Sequence, residues 1–241
     1  MRRRSLALGS IALLAAFIGN PAVGADHGRG GDGSTGILLR VLAGWLIALA
    51  LLAAAQPATR GLGATELTGG GFNVAQGDSL RHGQGPLKRF IVEVEESLNI
   101  RAKRFAEKVQ NILFDRRSWI RSKTFSLKRV DSTPAAFRVT LATRSTTDRL
   151  CYPLLTNGSY SCWNGSRAVI NVWRWRNGAK SYGDHLKGYR RYLINHEVGH
   201  GLGHSHKNCP RRGDKAPVML QQTIGLQGCR RNPWPKHAEL P

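Results

Sequence analysis

Eleven residues near the C-terminus constrain this chain more than any other feature. Residues 196–206 read HEVGHGLGHSH and match the pattern HExxHxxGxxH at each fixed position. His196 and His200 are four residues apart, so on a helix both project from one face and can hold a single metal ion. Gly203 can adopt the left-handed conformation that ends a helix, which lets the chain bring His206 back as a third ligand. The pattern therefore predicts a helix, a reversal and a metal site.

The same pattern predicts catalysis rather than a purely structural role. Three neutral imidazoles leave the fourth tetrahedral position open for water, which is the arrangement of a catalytic zinc ion. Glu197 follows the first ligand and is interpreted as a general base that activates this water and then protonates the departing amine. His204 is interpreted as a pocket or surface residue, with the third-ligand role as the alternative, and His185 as a loop residue.

With Gly199 and Leu202 also in place, the segment resembles the metzincin metallopeptidases in their HExGHxLGxxH form. The resemblance implies an α+β, zincin-like domain with a mixed sheet, an active-site helix and a Met-turn beneath the metal. Met219, in the run APVM, is the candidate for that turn, and an ordinary core methionine is the other interpretation. Gln221 stands where several metzincin subfamilies have tyrosine, so the resemblance does not supply a tyrosine to assist at the oxyanion.

A wider set of motifs is similar to a bacterial family of exported zincin-like domains whose function is unknown. The similarity extends over about residues 90–235. It is carried by DRLC at 148–151, NHEVGH at 195–200, APVMLQQT at 216–223, Cys229 and NPWP at 232–235. That family is assigned as a peptidase by its motif alone, so the resemblance implies a fold and leaves the substrate open.

The first 55 residues are predicted to be an export signal, a membrane anchor or both. Three arginines at 2–4 precede an apolar run at 6–18 and the small residues Ala22 and Ala25, a pattern typical of a secretory signal peptide. A second apolar run at 37–55 would span about 28 Å as a helix. This second run is interpreted as a membrane anchor, or as the signal sequence itself if the biological start lies downstream of Met1. A buried core helix is the remaining alternative.

The rest of the chain is predicted to be a linker followed by one domain. Residues 56–86 are rich in Gly, Thr and Pro and are interpreted as flexible. Residues 87–241 are interpreted as one α/β or α+β domain, which we expect to be monomeric. Its predicted strands cover 90–94, 137–141 and 168–173, and its predicted helices cover 101–114 and 186–203.

The four cysteines predict two local disulfides. No CxxC pair is present, so a zinc knuckle is not expected. The Asn-Gly pair at 157–158 predicts a hairpin turn that brings Cys151 opposite Cys162, and Cys209 can pair with Cys229 to close a C-terminal loop. Together with an export signal, this pattern favours a domain outside the cytoplasm. Four free thiols in a cytosolic protein are the alternative.

The charge of the chain bears on its partners. With 36 Lys and Arg against 15 Asp and Glu, the net charge is +21. The basic residues are spread along the chain, which favours adhesion to acidic cell-envelope surfaces over specific nucleic-acid recognition. The run WRWR at 173–176 could bind an anionic partner or could be one solvated face of a strand. The strand at 168–173 could bind a substrate backbone or lie inside the sheet.

Two functions from different classes follow. The first is a zinc endopeptidase that cleaves peptides or proteins outside the cytoplasm. The second is a catalytically silent, zinc-stabilised module that binds anionic partners in the cell envelope. Glu197 favours the first, because a structural zinc site needs a fourth protein ligand and no base. Hydrolysis of a non-peptide amide in cell-wall material would use the same residues.

Overall fold

A computed structural model describes residues 71–240, which are built around one mixed, seven-stranded sheet. The sheet order is β2-β4-β3-β5-β7-β6, and β1 pairs with the end of β3. The strands are β1 (Phe72–Val74), β2 (His82–Gly83), β3 (Leu87–Glu95), β4 (Ser126–Arg129), β5 (Phe137–Ala142), β6 (Cys162–Trp163) and β7 (Arg167–Asn171). The export signal or anchor predicted for residues 1–55 lies outside the described residues.

The centre of the sheet is parallel and its margins are antiparallel. β3 pairs in parallel with β4 and β5, and β5 pairs in parallel with β7, whereas β1, β2 and β6 pair antiparallel to their neighbours. The strands predicted at 90–94 and 137–141 are present as β3 and β5. The alternation in β5 indicated a half-buried strand, but β5 lies inside the sheet and its polar Thr140 is buried as well. The expected α+β class with a mixed sheet is confirmed.

Four α-helices in the described part of the chain complete the fold. They are α1 (Ala102–Leu113), α2 (Arg144–Cys151), α3 (Val172–Asn177) and α4 (Leu186–Gly201). The predicted apolar spacing of α1 is confirmed, because Phe105 and Val109 are buried in one core with Tyr192 of α4. None of these helices is long and apolar enough to cross a membrane.

The helix α2 covers the other face of the sheet. Ala168 and Ile170 belong to the core shared with α1 and α4, whereas Val169 packs in a separate cluster with Cys151 and Cys162. Because neighbouring strand residues point to opposite faces, α2 and α4 lie on opposite sides of β7. This helix was not predicted, since its polar sequence, RSTTDRLC, has no apolar period.

The strand predicted at 168–173 is shorter than expected and lies inside the sheet. β7 ends at Asn171, whose side-chain oxygen accepts a hydrogen bond from Trp173 N at 2.9 Å and caps α3. The interpretation of residues 173–176 as a strand face was therefore wrong. β7 lies between β5 and β6, so the edge of the sheet on this side is β6.

The ordered domain begins earlier than the predicted boundary at 87. Phe72–Val74 pairs with β3 and His82–Gly83 pairs with β4, so the linker interpretation is wrong for these residues. Strands of three and two residues are too short to show alternation, and their order comes from pairing with longer neighbours. Residues 56–70 of the predicted linker lie outside the described residues.

Both predicted disulfides are present. Cys151 and Cys162 are bonded, with their Cα atoms 6.1 Å apart, and Cys209 and Cys229 are bonded at 5.8 Å. The first does not close a hairpin as expected, because it joins the last residue of α2 to β6. The Asn-Gly pair at 157–158 does form a turn, with both residues at positive φ, inside the connecting loop. Disulfides are typical of proteins outside the cytoplasm.

Candidate metal centre

The helix α4 places the first two histidines of the motif on one buried face. His196 is 5% exposed and His200 follows one turn later, where their ring centroids are 4.9 Å apart. Tyr192 and Val198 of the same helix are buried in the core, which holds this part of α4 against the sheet. The helix therefore presents two imidazoles from a rigid support.

The chain reverses after α4 and brings the third histidine to the other two. Leu202 N donates to Val198 O at 3.0 Å, and Gly203 then adopts φ +95°, where glycine is favoured. This reversal places His206 Nε2 3.1 Å from His200 Nε2. Ligand atoms of His196, His200 and His206 all lie within 4.8 Å of one another, near enough to hold one metal ion.

Backbone carbonyls determine which nitrogen of each ring can bind a metal. His196 Nδ1 lies 2.8 Å from Val218 O, and His200 Nδ1 lies 2.8 Å from His204 O. A carbonyl oxygen only accepts hydrogen bonds, so each Nδ1 carries the proton and donates it. The lone pair of both rings is therefore on Nε2, which is the usual way a protein orients imidazole ligands.

Burial keeps these histidines neutral. It lowers the pKa of His196 to about 3, with the neighbouring His200 and His206 adding to the effect. Burial also lowers the pKa of His200 and of His206. Three neutral imidazoles at ordinary pH have the lone pairs that a metal ion needs.

Glu197 is a buried carboxylate with no hydrogen bond to any residue in the range 71–240. It is 5% exposed, and burial raises its pKa to about 8. Glu93, by contrast, binds Arg138, Arg167 and Thr140. A carboxylate without partners at the edge of a cavity is free to exchange a proton with something bound there.

His196, His200, His206 and Glu197 line a cavity of about 430 Å³. Exposed apolar side chains from two loops also line it: Leu154 and Leu155 on one loop, 56% and 80% exposed, and Ile224 on another, 65% exposed. Gln221 also lines the cavity, in the position noted for its departure from the tyrosine of several metzincins. The cavity thus combines buried polar groups with exposed apolar side chains, which form what we call its apolar rim.

Met219 packs under α4 at the level of Gly199. Pro217 O accepts from Leu220 N at 3.1 Å, which forms a tight turn around a fully buried Met219. A Cβ atom at position 199 would lie 2.5 Å from Met219 Sδ and 2.7 Å from Trp119 Cζ2. The close approach of this turn therefore requires glycine between the two histidines.

Glu239 supports the turn and was missed by the sequence analysis. Its carboxylate is 3% exposed and accepts from Val218 N and Met219 N, both at 2.9 Å, and from Lys236 N at 2.8 Å. The same Val218 supplies the carbonyl that orients His196. Nothing in the sequence links Glu239 to the motif, because this contact depends on how the C-terminal segment folds back.

The two remaining histidines near the motif are not in the cluster. The His204 ring stacks on Trp119 with centroids 4.4 Å apart, and only its main-chain oxygen contacts a clustered histidine. His185 immediately precedes α4 and lies against Gly188. The structure therefore places neither ring with His196, His200 and His206.

Comparison with known proteins finds one match. A family model described as "Protein of unknown function (DUF3152)" matches residues 58–234. That range includes the three clustered histidines, Glu197, Met219 and both disulfides, and it ends before Glu239. No curated protein and no solved structure matches the chain.

Proposed function

Because the chain belongs to the DUF3152 family, whose function is unknown, we propose from its own residues that it is a zinc-dependent hydrolase that cleaves peptide bonds outside the cytoplasm. One observation carries the proposal: three imidazoles converge in a cavity that is also lined by Glu197, a buried carboxylate without partners among residues 71–240. The two disulfides support a location outside the cytoplasm.

The donor set fits zinc. Zinc prefers imidazole nitrogen in a tetrahedral arrangement, and catalytic zinc sites use three protein ligands. His196, His200 and His206 supply three such nitrogens, and no fourth side chain of residues 71–240 joins the group. When bound, zinc would lower the pKa of a water ligand to about 7 and polarise a substrate carbonyl.

The proposed role of Glu197 is proton transfer. Its carboxylate takes a proton from the attacking water and later delivers that proton to the departing amine nitrogen. A carboxylate with an ordinary pKa near 4 is a weak base at neutral pH. Burial raises the pKa of Glu197 to about 8, so without a metal the carboxyl is mostly protonated near pH 7. A cation held by the neighbouring histidines would favour the ionised form, which is the form that accepts the proton.

A zincin-like arrangement, including a Met-turn, belongs to the same proposal. Its support is the close contact of Met219 with Gly199, between the first two histidines, and the buried carboxylate of Glu239 behind that turn. The edge strand β6 adds to it, since Trp163 lines the cavity. A peptide lying along β6 could extend the sheet by one strand.

The proposed substrate is an extended peptide with apolar side chains beside the scissile bond. Leu154, Leu155 and Ile224 remain largely exposed at the cavity rims, where they would be covered by such side chains. Apolar contact of this kind recognises side chains of a peptide better than the hydroxyl groups of a sugar. A peptide is therefore favoured over a cell-wall amide attached to saccharide.

The test is cleavage of a defined peptide mixture by the full chain, with products identified by mass spectrometry. We expect about one zinc per chain, cleavage between apolar residues, and loss of cleavage with a chelator. Glu197→Ala should keep its zinc and lose activity on the order of 10²–10⁴-fold. Glu107→Ala, on the exposed side of α1, is the matched control and should retain activity. Equal cleavage by wild type and Glu197→Ala would overturn the proposed role of Glu197, and no cleavage by zinc-loaded wild type would overturn the hydrolase proposal and favour a silent binding module.

A further inference from the structure

A second cavity, of about 320 Å³, lies between α1 and α4 and carries a concentration of positive charge. Four cationic side chains line it: Lys108 from α1, and Lys187, Arg190 and Arg191 from α4. No carboxylate is among its lining residues. Such a concentration of like charge in one recess is unfavourable unless an anion or solvent offsets it.

This cavity is separate from the candidate metal centre although both use α4. Lys187, Arg190 and Arg191 are spaced by three and four residues, so they share one face of the helix. His196 follows Lys187 by nine residues, which is about two and a half helical turns and places it on the opposite face. A ligand in the basic cavity would therefore not compete for the three histidines.

Arg190 is the best positioned of the four cations. Its Nε donates to Trp175 O at 2.6 Å, and its guanidinium lies over the Trp175 ring at 5.0 Å from the centroid. Its two terminal nitrogens make no hydrogen bond to any residue of the described domain. Burial lowers the pKa of Arg190, and no carboxylate acts against this. The guanidinium is thus held in place by its Nε, and the N–H groups of its two terminal nitrogens remain available as donors.

The neighbouring cations are also without anionic partners. Lys108 and Lys187 are exposed and form no ion pair with residues 71–240, and Arg191 lies over the Trp234 ring at 5.6 Å. Asp115 interacts with Arg191 through charge, but its carboxylate is bound to Arg117 at 2.7 Å. Two other arginines, Arg138 and Arg167, are by contrast paired with the carboxylate of Glu93.

We propose that this cavity binds a phosphate-bearing anion with two or more negative charges. Arginine binds phosphate through two parallel hydrogen bonds, and the lysines add point charges around it. Ile112 and Trp175 form an apolar wall that limits screening by water. The site is independent of the proposed hydrolase activity. The phosphate could belong to a soluble phosphate chain or to an anionic lipid headgroup, since both present the same group.

Calorimetric titration of the full chain with inorganic tripolyphosphate tests this site. Lys108→Gln/Lys187→Gln should weaken binding at least tenfold. The matched control Lys123→Gln/Lys215→Gln removes two exposed lysines that do not line the cavity and should change affinity less than twofold. Equal weakening by both variants would show diffuse charge attraction and overturn the site, as would no binding by wild type.

Further measurements test the role of the Arg190 guanidinium, the preference for phosphate and the source of the phosphate. Arg190→Lys preserves the charge and removes the forked guanidinium, so it should weaken tripolyphosphate binding at least fivefold. Its melting temperature, measured by circular dichroism, shows whether the variant is still folded. Citrate should bind at least tenfold more weakly than tripolyphosphate, and equal binding would overturn the preference for phosphate. Soluble dihexanoyl phosphatidic acid carries a phosphomonoester with up to two negative charges. Its displacement of tripolyphosphate would identify a lipid source, and failure to displace would identify a free phosphate chain.

Discussion

At the scale of the residue, Glu197 differs from the other buried carboxylates in having no partner. Glu95 accepts hydrogen bonds from Thr143 and Thr146, and Glu239 accepts three backbone N–H groups. An unpartnered buried carboxylate destabilises a fold, because burial disfavours its charged form. Chains retain such residues where chemistry requires them, which is consistent with the proposed role of Glu197.

The pKa of Glu197 predicts a pH-dependent stability in the metal-free protein. The pKa is about 8 in the folded state against an ordinary 4.5, so the folded state holds this proton longer. Its contribution is fully present below pH 4.5 and is lost as pH rises through 8. Relative to Glu197→Gln, wild type should lose about 1.4 kcal/mol of unfolding free energy per pH unit across that window. Urea denaturation at several pH values measures the difference.

His196 acts in the opposite direction in the same experiment. Its pKa is about 3 when folded against an ordinary 6.5, so its contribution is present above 6.5 and is lost as pH falls through 3. This contribution is common to wild type and Glu197→Gln and cancels in the comparison. A constant difference between the two proteins from pH 4.5 to 8 would contradict the assigned environment of Glu197.

Glu239 is predicted to position the turn that orients His196. Glu239→Gln places an amide where two backbone N–H groups now meet a carboxylate, and should cost on the order of 2 kcal/mol. Because Val218 would then hold the His196 ring less firmly, zinc affinity should fall about tenfold. Competition with a chromogenic chelator measures the affinity. Glu107→Gln, exposed on α1, is the control, and unchanged zinc affinity in Glu239→Gln would contradict the role.

The sequence could predict some of these residues and not others for a physical reason. His196, Glu197 and His200 are adjacent on one helix, and His206 follows a local reversal, so spacing alone indicates a cluster. Glu239 contacts the site only because the C-terminal segment returns to the turn around Met219. A long-range contact of one side chain leaves no period or spacing in the sequence.

At the scale of the element, the local sequence pattern predicted the buried strands and helices. It missed the helix α2, which is stabilised by contacts with neighbouring segments. β3, β5, α1 and most of α4 follow from apolar periodicity. α2 has a polar sequence and depends on tertiary contacts, since Glu95 binds Thr143 and Thr146 at its start and the bond to Cys162 holds its end. Such support cannot be inferred from eight polar residues.

The loop after α2 is held in place so that it can form a rim of the cavity. Asp148 accepts hydrogen bonds from the Thr156 hydroxyl and from Gly158 N, and Leu154 N donates to Cys151 O. The loop is therefore fixed at both ends while Leu154 and Leu155 remain exposed. Ordered apolar side chains of this kind are typical of a binding rim.

Removing the apolar rim should impair substrate binding and leave the chemistry intact. Leu154→Ser/Leu155→Ser should raise KM for an apolar peptide about thirtyfold, because two contacts of about 1 kcal/mol each are lost. We expect kcat to change less than twofold. Steady-state kinetics separate the two parameters. Leu80→Ser, which removes an 82% exposed leucine that does not line the cavity, is the control.

A fall in kcat with an unchanged KM would contradict a binding role for these leucines. It would instead indicate that the loop positions reacting groups. Loss of zinc from the double variant would indicate that the loop supports the fold around the metal centre.

At the scale of the whole molecule, the candidate metal centre is assembled from four separate segments. α4 supplies two histidines and Glu197, the following reversal supplies His206, the turn at Met219 supports them, and the C-terminal segment binds that turn. The disulfide between Cys209 and Cys229 joins the two ends of the segment that follows His206 and contains the turn around Met219. The three proposed ligands lie within eleven residues, so zinc binding should stabilise the wider domain through the contacts behind them, in which Val218 O holds His196 and Glu239 holds Val218.

X-ray absorption at the zinc edge of the purified chain measures the central arrangement most directly. We expect three imidazole nitrogens and one oxygen at about 2.0–2.1 Å, the distances usual for zinc. His206→Ala should lose most of the zinc, whereas His204→Ala, the matched control, should keep it. A fourth protein donor in the wild-type spectrum, or full zinc retention by His206→Ala, would contradict a three-histidine site with an open position for water.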